Sequence, residues 1–171
     1  MKRKIFFPYT PNDVFYPKNV QRNELKDNFL VFHPTRADWK IKGNDILIKG
    51  FAKFVKNNLN AILMIVEHGK KLSEDMIRNH KLIDELKITD NVKIIEGPLN
   101  TTDLAYYYNC ADVVADQFKL GEGGVIYLEA MACKKPVLIN LDQIEQKKVF
   151  EEPPPIINAK NSDEINDCLE K

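Results

Sequence analysis

Cysteine is scarce: Cys110, Cys133 and Cys168 are the three in a chain of 171 residues. An odd number without CxxC spacing forms neither a closed disulfide framework nor a recognisable thiolate metal site. A reducing compartment fits such usage best. Net charge is lacking as well, with 25 basic side chains against 25 acidic ones. The basic face of a nucleic-acid binder is therefore missing, and a polyanion partner is disfavoured. No apolar run approaches a membrane span; Ala61 to Val66 is far too short, and the basic tip Met1-Lys2-Arg3-Lys4 precedes no apolar stretch of signal length. There is no internal repeat and no low-complexity tract. The expectation is a single cytoplasmic globular domain, able to bury about two-thirds of its unfolded surface without a disulfide or a structural metal.

What the chain does have is alternation. Residues 1–28 form a lead-in in which Pro8, Pro11 and Pro17 interrupt any regular period. From Phe29 onward, short continuous apolar runs predict strands at Phe29–His33, Ala61–Val66, Val92–Ile95, Val113–Ala115, Pro136–Ile139 and Ile156–Ile157. Amphipathic or helix-forming stretches lie between and after them, at Asn44–Lys56, Ser73–Leu86, Thr102–Asn109, Val125–Cys133, Gln143–Phe150 and Asp163–Leu169. Strands separated by helices of this length are joined by right-handed crossovers and run parallel. Continuously apolar strands imply helices on both faces. Residues 29–171 are thus expected to form one Rossmann-like α/β domain, a doubly wound parallel sheet of about six strands. Ser73 with Glu74 and Asp75 suits a helix start, and the Pro153-Pro154-Pro155 run breaks the helix before it.

Open sheets of this kind bind ligands beyond the carboxyl ends of the strands, where the strand order reverses. Two loops there carry unusual chemistry. The first, His33 to Gly43, leaves a strand with Arg36, Lys40 and Lys42 before entering a helix. A guanidinium fork and a point charge suit a diphosphate, although solvated loop cations have the same appearance. The second, Asp116 to Cys133, crowds Gly121, Gly123 and Gly124 onto a strand-to-helix junction. Such an entrance lets a ligand approach backbone amides, and the helix start favours a phosphate. Glu129, just over one turn inside, would accept hydrogen bonds from ribose hydroxyls; the plainer alternatives are a tight turn and a solvated or capping carboxylate.

Taken in order, these stretches resemble the C-terminal, donor-binding domain of retaining glycosyltransferases of family 4, one half of the GT-B fold. Arg36 and Lys42-Gly43 match the family's arginine and lysine-glycine pair. Glu129-Ala130-Met131-Ala132-Cys133 followed by Pro136-Val137 is similar to its most recognisable string. Asn91 to Gly97, Leu104 and Tyr108 to Val113 look like the strand, base-facing loop and short helix between them. The resemblance implies that Arg36, Lys42, Gly123, Gly124 and Val125 hold the diphosphate and Glu129 the ribose. Gly97, Pro98 and Leu99 would border the base. It implies a nucleotide-sugar substrate, a carbohydrate or lipid-linked acceptor, no cofactor and no metal.

Two departures stand out. The family usually has two glutamates separated by seven residues, and counting back from Glu129 places Gly121 at the first. Glu122, one residue late, is then a candidate for the donor sugar through a shifted loop; alternatively Asp116-Gln117 takes part, or the sugar is read differently. Pro34-Thr35 stands where a glycine is common. Residues 5–17 resemble the family's interdomain linker, so the acceptor domain is expected on another segment or chain, with the complete enzyme peripheral to the inner membrane face. A face left open by that absence would be covered by dimerisation or stay exposed. A stand-alone nucleotide-binding module with a regulatory role is the alternative function, and half of a sugar-nucleotide epimerase a third.

The remaining polar candidates have simpler roles. His33 is expected to be structural or solvent-facing, and His68 to sit in the ligand-facing layer. His80 reads as solvated and Cys133 as core. Tyr106-Tyr107-Tyr108 reads as a packing surface with one ring near the base, and Trp39, if exposed, as a contact for a partner domain. Asn100-Thr101-Thr102 matches a glycosylation acceptor but is better read as a helix N-cap.

Overall fold

A computed structural model describes residues 11–69, 71–147, 152 and 154–171. Six parallel strands, β1 (Phe29–His33), β2 (Ala61–His68), β3 (Val92–Gly97), β4 (Val113–Ala115), β5 (Val137–Ile139) and β6 (Ile157–Asn158), line up in the order β3-β2-β1-β4-β5-β6. Six helices connect or follow them: α1 (Asn44–Phe54), α2 (Glu74–Glu85), α3 (Thr101–Cys110), α4 (Ile126–Ala132), α5 (Gln143–Gln146) and α6 (Ser162–Leu169). The chain winds outward from β1 to β3, then returns to lay β4 against the other side of β1, pairing Val31 with Val113. That reversal puts a crevice between the carboxyl ends of β1 and β4.

Successive strand residues face opposite sides, and both sides are covered. Val31, Leu63 and Ile65 pack under Leu47, Ile48 and Phe51 of α1 and Ile165 of α6. Leu30, Phe32 and Met64 pack under Ala105 and Tyr108 of α3 and Tyr127 and Ala130 of α4. Ser73 caps α2 by accepting from Met76 N, and Asn100 caps α3 by accepting from Asp103 N at 2.9 Å. Helix α1 stops at Phe54, two residues short of the expected end, and α5 at Gln146, while Lys148 to Phe150 lie outside the described residues. β6 is shifted one residue later than expected. No helix among the described residues is long and apolar enough to cross a membrane.

Residues 1–10 of the lead-in lie outside the described residues. Residues 11–28 lie across α3: Phe15 meets Tyr108 edge-on at 5.8 Å, and Arg22 makes a two-pronged pair with Asp112 at 2.7 and 3.0 Å. Asp112 also accepts from Leu30 N at 2.9 Å, so one carboxylate joins the lead-in to the start of β1.

Helix α6 lies directly on α1 at Gly50. A Cβ there would come within 2.6 Å of Ile165 Cγ2 and 3.0 Å of Ser162 O. Gly50→Ala is therefore expected to cost about 1–2 kcal/mol, the overpacking penalty outweighing the helix propensity gained. Urea unfolding measures it, and a stabilised variant would show that α6 yields freely.

Candidate functional site

The crevice between β1 and β4 is built on buried polar groups. His33 ends β1 with no exposure. Its Nδ1 donates to Ala115 O at 2.9 Å, and its Nε2 accepts from Asn44 Nδ2 at 2.8 Å. This tautomer follows from the partners, since a carbonyl only accepts. Burial, reinforced by Lys42, lowers the imidazole pKa to about 4, so the ring is neutral at pH 7. His33 is a strut between two strands, the structural of the two roles expected for it.

Asn44, the first residue of α1, shapes the loop that carries the cations. Its Oδ1 accepts from Asp38 N at 2.8 Å and its Nδ2 also reaches Arg36 O at 3.3 Å. Asp38 in turn folds the far limb inward, its carbonyl accepting from Lys42 N at 2.7 Å and its Oδ1 from Ile41 N at 2.9 Å. Arg36 is left with a 63% exposed side chain, 3.2 Å from Asp38 Oδ2. Lys42 is half-buried and in no ion pair among the described residues. Trp39 is not a free contact surface. Its Nε1 donates to Asn79 Oδ1 at 2.6 Å, its N to Asp75 Oδ2 at 3.0 Å, and Arg78 stacks over its ring, pinning the loop to α2.

The second loop is locked to the first. Phe118 N donates to Lys42 O at 2.8 Å, and Lys119 Nζ reaches Trp39 O at 2.6 Å and Asp45 Oδ1 at 3.1 Å. Gln117, fully buried, donates to Glu122 O at 2.7 Å and Asn140 O at 2.9 Å and accepts from Leu120 N at 2.8 Å. Both ends of its amide are engaged in holding this loop. Gly123, Gly124, Val125 and Glu122 are exposed ahead of α4. At Gly123 a Cβ would run into the Tyr127 ring, so only glycine lets the backbone lie on it.

Glu129 is neither solvated nor a cap: it is 6% exposed, and Tyr108 Oη donates to its Oε2 at 3.0 Å. Burial and the neighbouring carboxylate push the Tyr108 hydroxyl pKa up. Tyr107 stacks on Phe32 at 5.4 Å, and Tyr106 Oη donates to Gln21 O, so the three tyrosines are largely packing, as expected. Cys133 is buried core, and burial raises its thiol pKa. His80 is paired with Glu67 rather than simply solvated.

Arg36 and Lys42 line one open cleft of about 570 Å³, together with Thr35, His68, Leu120 and Ile126. His68 also reaches Pro34 O at 3.2 Å and pairs in the sheet with Gly97, which brings the Gly97-Pro98-Leu99 turn to the neighbouring strand end. Gly121 lines a separate cleft along β5 and β6, with Asp142, Ile144 and Lys160. Gly123 to Val125 adjoin Ile126 but are not walls of the first cleft, and neither is Glu129. Sequence reasoning missed the role of Asn44 and noted Thr35 only as standing where a glycine is common. The one available signal was a short polar side chain at a strand end and another at a helix start.

Residues 16–151 match the model of the family described as Glycosyl transferases group 1. The chain belongs to that family. A curated relative, alpha-monoglucosyldiacylglycerol synthase of Acholeplasma laidlawii, is 26% identical over 98 residues, which is 57% of this chain and 23% of that protein. The chain thus spans about a quarter of the length of this relative. Among solved structures, the C-terminal domain of a group 1 glycosyl transferase from Francisella tularensis matches with a TM-score of 0.73 at 19% identity, over 95% of this chain and 86% of that one. An Anabaena protein in complex with UDP-glucose matches with a TM-score of 0.69 at 24% identity, over 95% of this chain and 47% of that one. Sucrose-phosphate synthase from Thermosynechococcus elongatus matches with a TM-score of 0.73 at 24% identity, over 94% and 41% of the respective chains. These likenesses place the group 1 domain described here in the Rossmann-like half of the GT-B architecture.

Proposed function

We propose that this group 1 domain is the donor-binding part of a retaining, family 4 glycosyltransferase. The observation that carries the reading is the convergence of Arg36, Lys42 and the start of α4 on one cleft at the strand-order reversal. A nucleotide sugar would lay its diphosphate on the two cations, with the amides of Gly123, Gly124 and Val125 at its other side. Glu129 would take the ribose, and Gly97, Pro98 and Leu99 would border the base. Gly121 and Glu122 would lie towards the donor sugar. As the glycosidic bond to the donor breaks, charge develops on the leaving diphosphate, and preorganised cations stabilise it more in the transition state than in the ground state. The reading needs no metal. A carbohydrate or lipid-linked acceptor would be positioned by a second domain or chain, and the complex would work in the cytoplasm. UDP is the first nucleotide to test, because the Anabaena neighbour is also solved in complex with UDP.

Thermal unfolding with UDP, GDP, ADP, TDP and CMP is the test. A diphosphate at about a hundred times its dissociation constant adds roughly 2.7 kcal/mol, which raises the midpoint by several degrees. The expected result is a shift with one base that disappears in Arg36→Ala/Lys42→Ala. A folded wild type that responds to none of the five would sink the reading.

A further inference from the structure

Asp116 follows β4, is 1% exposed, and lies behind Thr35, a wall of the cleft, rather than lining the cleft itself. Its Oδ1 shares the Thr35 hydroxyl with its own carbonyl, each at 3.2 Å. Its Oδ2 is buried and accepts no hydrogen bond among the described residues. A carboxylate oxygen left without a donor is among the costlier things a protein can bury, and this one lies where the fold places its ligands. Gln117 beside it is fully engaged in the loop, and Glu122 is exposed. Of the acidic and amide groups near the vacant glutamate position, Asp116 alone among the described residues has unused capacity in the interior.

We propose, resting on the donor-site reading above, that Asp116 is a positioning residue which takes up one proton as the sugar diphosphate binds, leaving the charge of Lys42 to the ligand. In the empty site the ionised carboxylate and Lys42 offset one another; no ion pair locks them, since Lys42 makes none among the described residues. An arriving diphosphate adds negative charge against a buried carboxylate that has a single weak donor. Neutralising Asp116 removes that repulsion, and the proton comes from solvent. The free site is already poised for this. Burial raises the Asp116 pKa to about 6, against the opposing pull of Lys42 and the Thr35 hydroxyl. The other titratable groups around it are His33 from β1, Tyr108 from α3, and Tyr127 and Glu129 from α4; β5 contributes only apolar Leu138 and Ile139. His33 is held neutral by burial, and both of its nitrogens are engaged. Both tyrosine hydroxyls are pushed upward, away from this range. The rival proton acceptor is His68, which lines the same cleft.

The linkage has a definite sign. A carboxyl whose pKa is higher in the complex than in the free protein makes binding tighter at low pH and weaker at high pH. A rise of about one unit would make binding about sevenfold tighter at pH 5.5 than at pH 8. The experiment is calorimetric titration of the full chain with UDP-glucose, a diphosphate diester with no group of its own titrating in that range, in two buffers of different ionisation enthalpy. The expected result is net proton uptake near pH 6.5 that persists in His68→Gln and is lost in Asp116→Asn. In parallel, the carboxyl carbon resonance of Asp116 in the wild type should titrate at higher pH once UDP-glucose is bound, a readout that requires no variant. Binding without proton uptake, or uptake lost in His68→Gln and kept in Asp116→Asn, overturns the role of Asp116 and leaves the donor site standing. No binding of UDP-glucose or of any nucleotide in the thermal series overturns both.

Discussion

Asn44→Ala is expected to lower the unfolding free energy by about 2–4 kcal/mol, because it strips partners from two buried or half-buried groups at once. His33 Nε2 would lose its donor and Asp38 N its acceptor, at a residue that is itself 1% exposed. The same substitution should weaken UDP-glucose binding about tenfold, since the loop that aims Arg36 and Lys42 takes its shape from these bonds and small displacements of charged groups are costly. The conservative variant separates the two effects. Asn44→Asp keeps an acceptor for Asp38 N but sets a carboxylate beside His33 Nε2, so the imidazole would protonate well above its present value of about 4. Urea unfolding and imidazole proton resonances followed across pH measure both. Wild-type stability in Asn44→Ala would show that the loop is held by other contacts.

The strands and most helices were legible because burial on both sheet faces writes itself into sequence as short continuous apolar runs. Phe29–His33 and Val113–Ala115 were placed to the residue. The strand reversal followed from those runs together with the preference for right-handed crossovers. Two N-caps, Ser73 and Asn100, were readable since a cap acts within four residues of itself. The interior of the site was not legible. Thr35 and Asp116 are 81 positions apart, His33 and Ala115 are 82 apart, and Tyr108 and Glu129 are 21 apart. Each is a single polar residue with no period, and its meaning depends on which strand ends the topology sets side by side. Glu129 shows the same limit from the other direction: the string around it was recognisable, yet nothing in it showed that the carboxylate would be buried with a tyrosine hydroxyl on it. Trp39 looked like a contact surface for the opposite reason, its partners Asn79, Asp75 and Arg78 being more than thirty residues away.

Glu129→Ala should have the largest effect on nucleotide affinity of any single substitution in the site. A buried carboxylate hydrogen-bonded to ribose hydroxyls contributes about 1.5–3 kcal/mol per charged bond, so affinity for UDP-glucose is expected to fall on the order of a hundredfold. Stability should fall as well, by about 1–3 kcal/mol, because the Tyr108 hydroxyl keeps its burial and loses its acceptor at 3.0 Å. Tyr108→Phe removes the hydroxyl and leaves the carboxylate in place, so it should reproduce the stability loss to about 1 kcal/mol with affinity largely retained. A ligand change then isolates the contact. If Glu129 grips the ribose, the wild type should bind UDP-glucose far more tightly than its 2′,3′-dideoxy analogue, and Glu129→Ala should bind the two alike, a coupling that only groups in contact display. Equal weakening of both ligands by Glu129→Ala would mean that the carboxylate acts through Tyr108 and the packing of α3 on α4, and the ribose would have to be sought elsewhere along the strand ends.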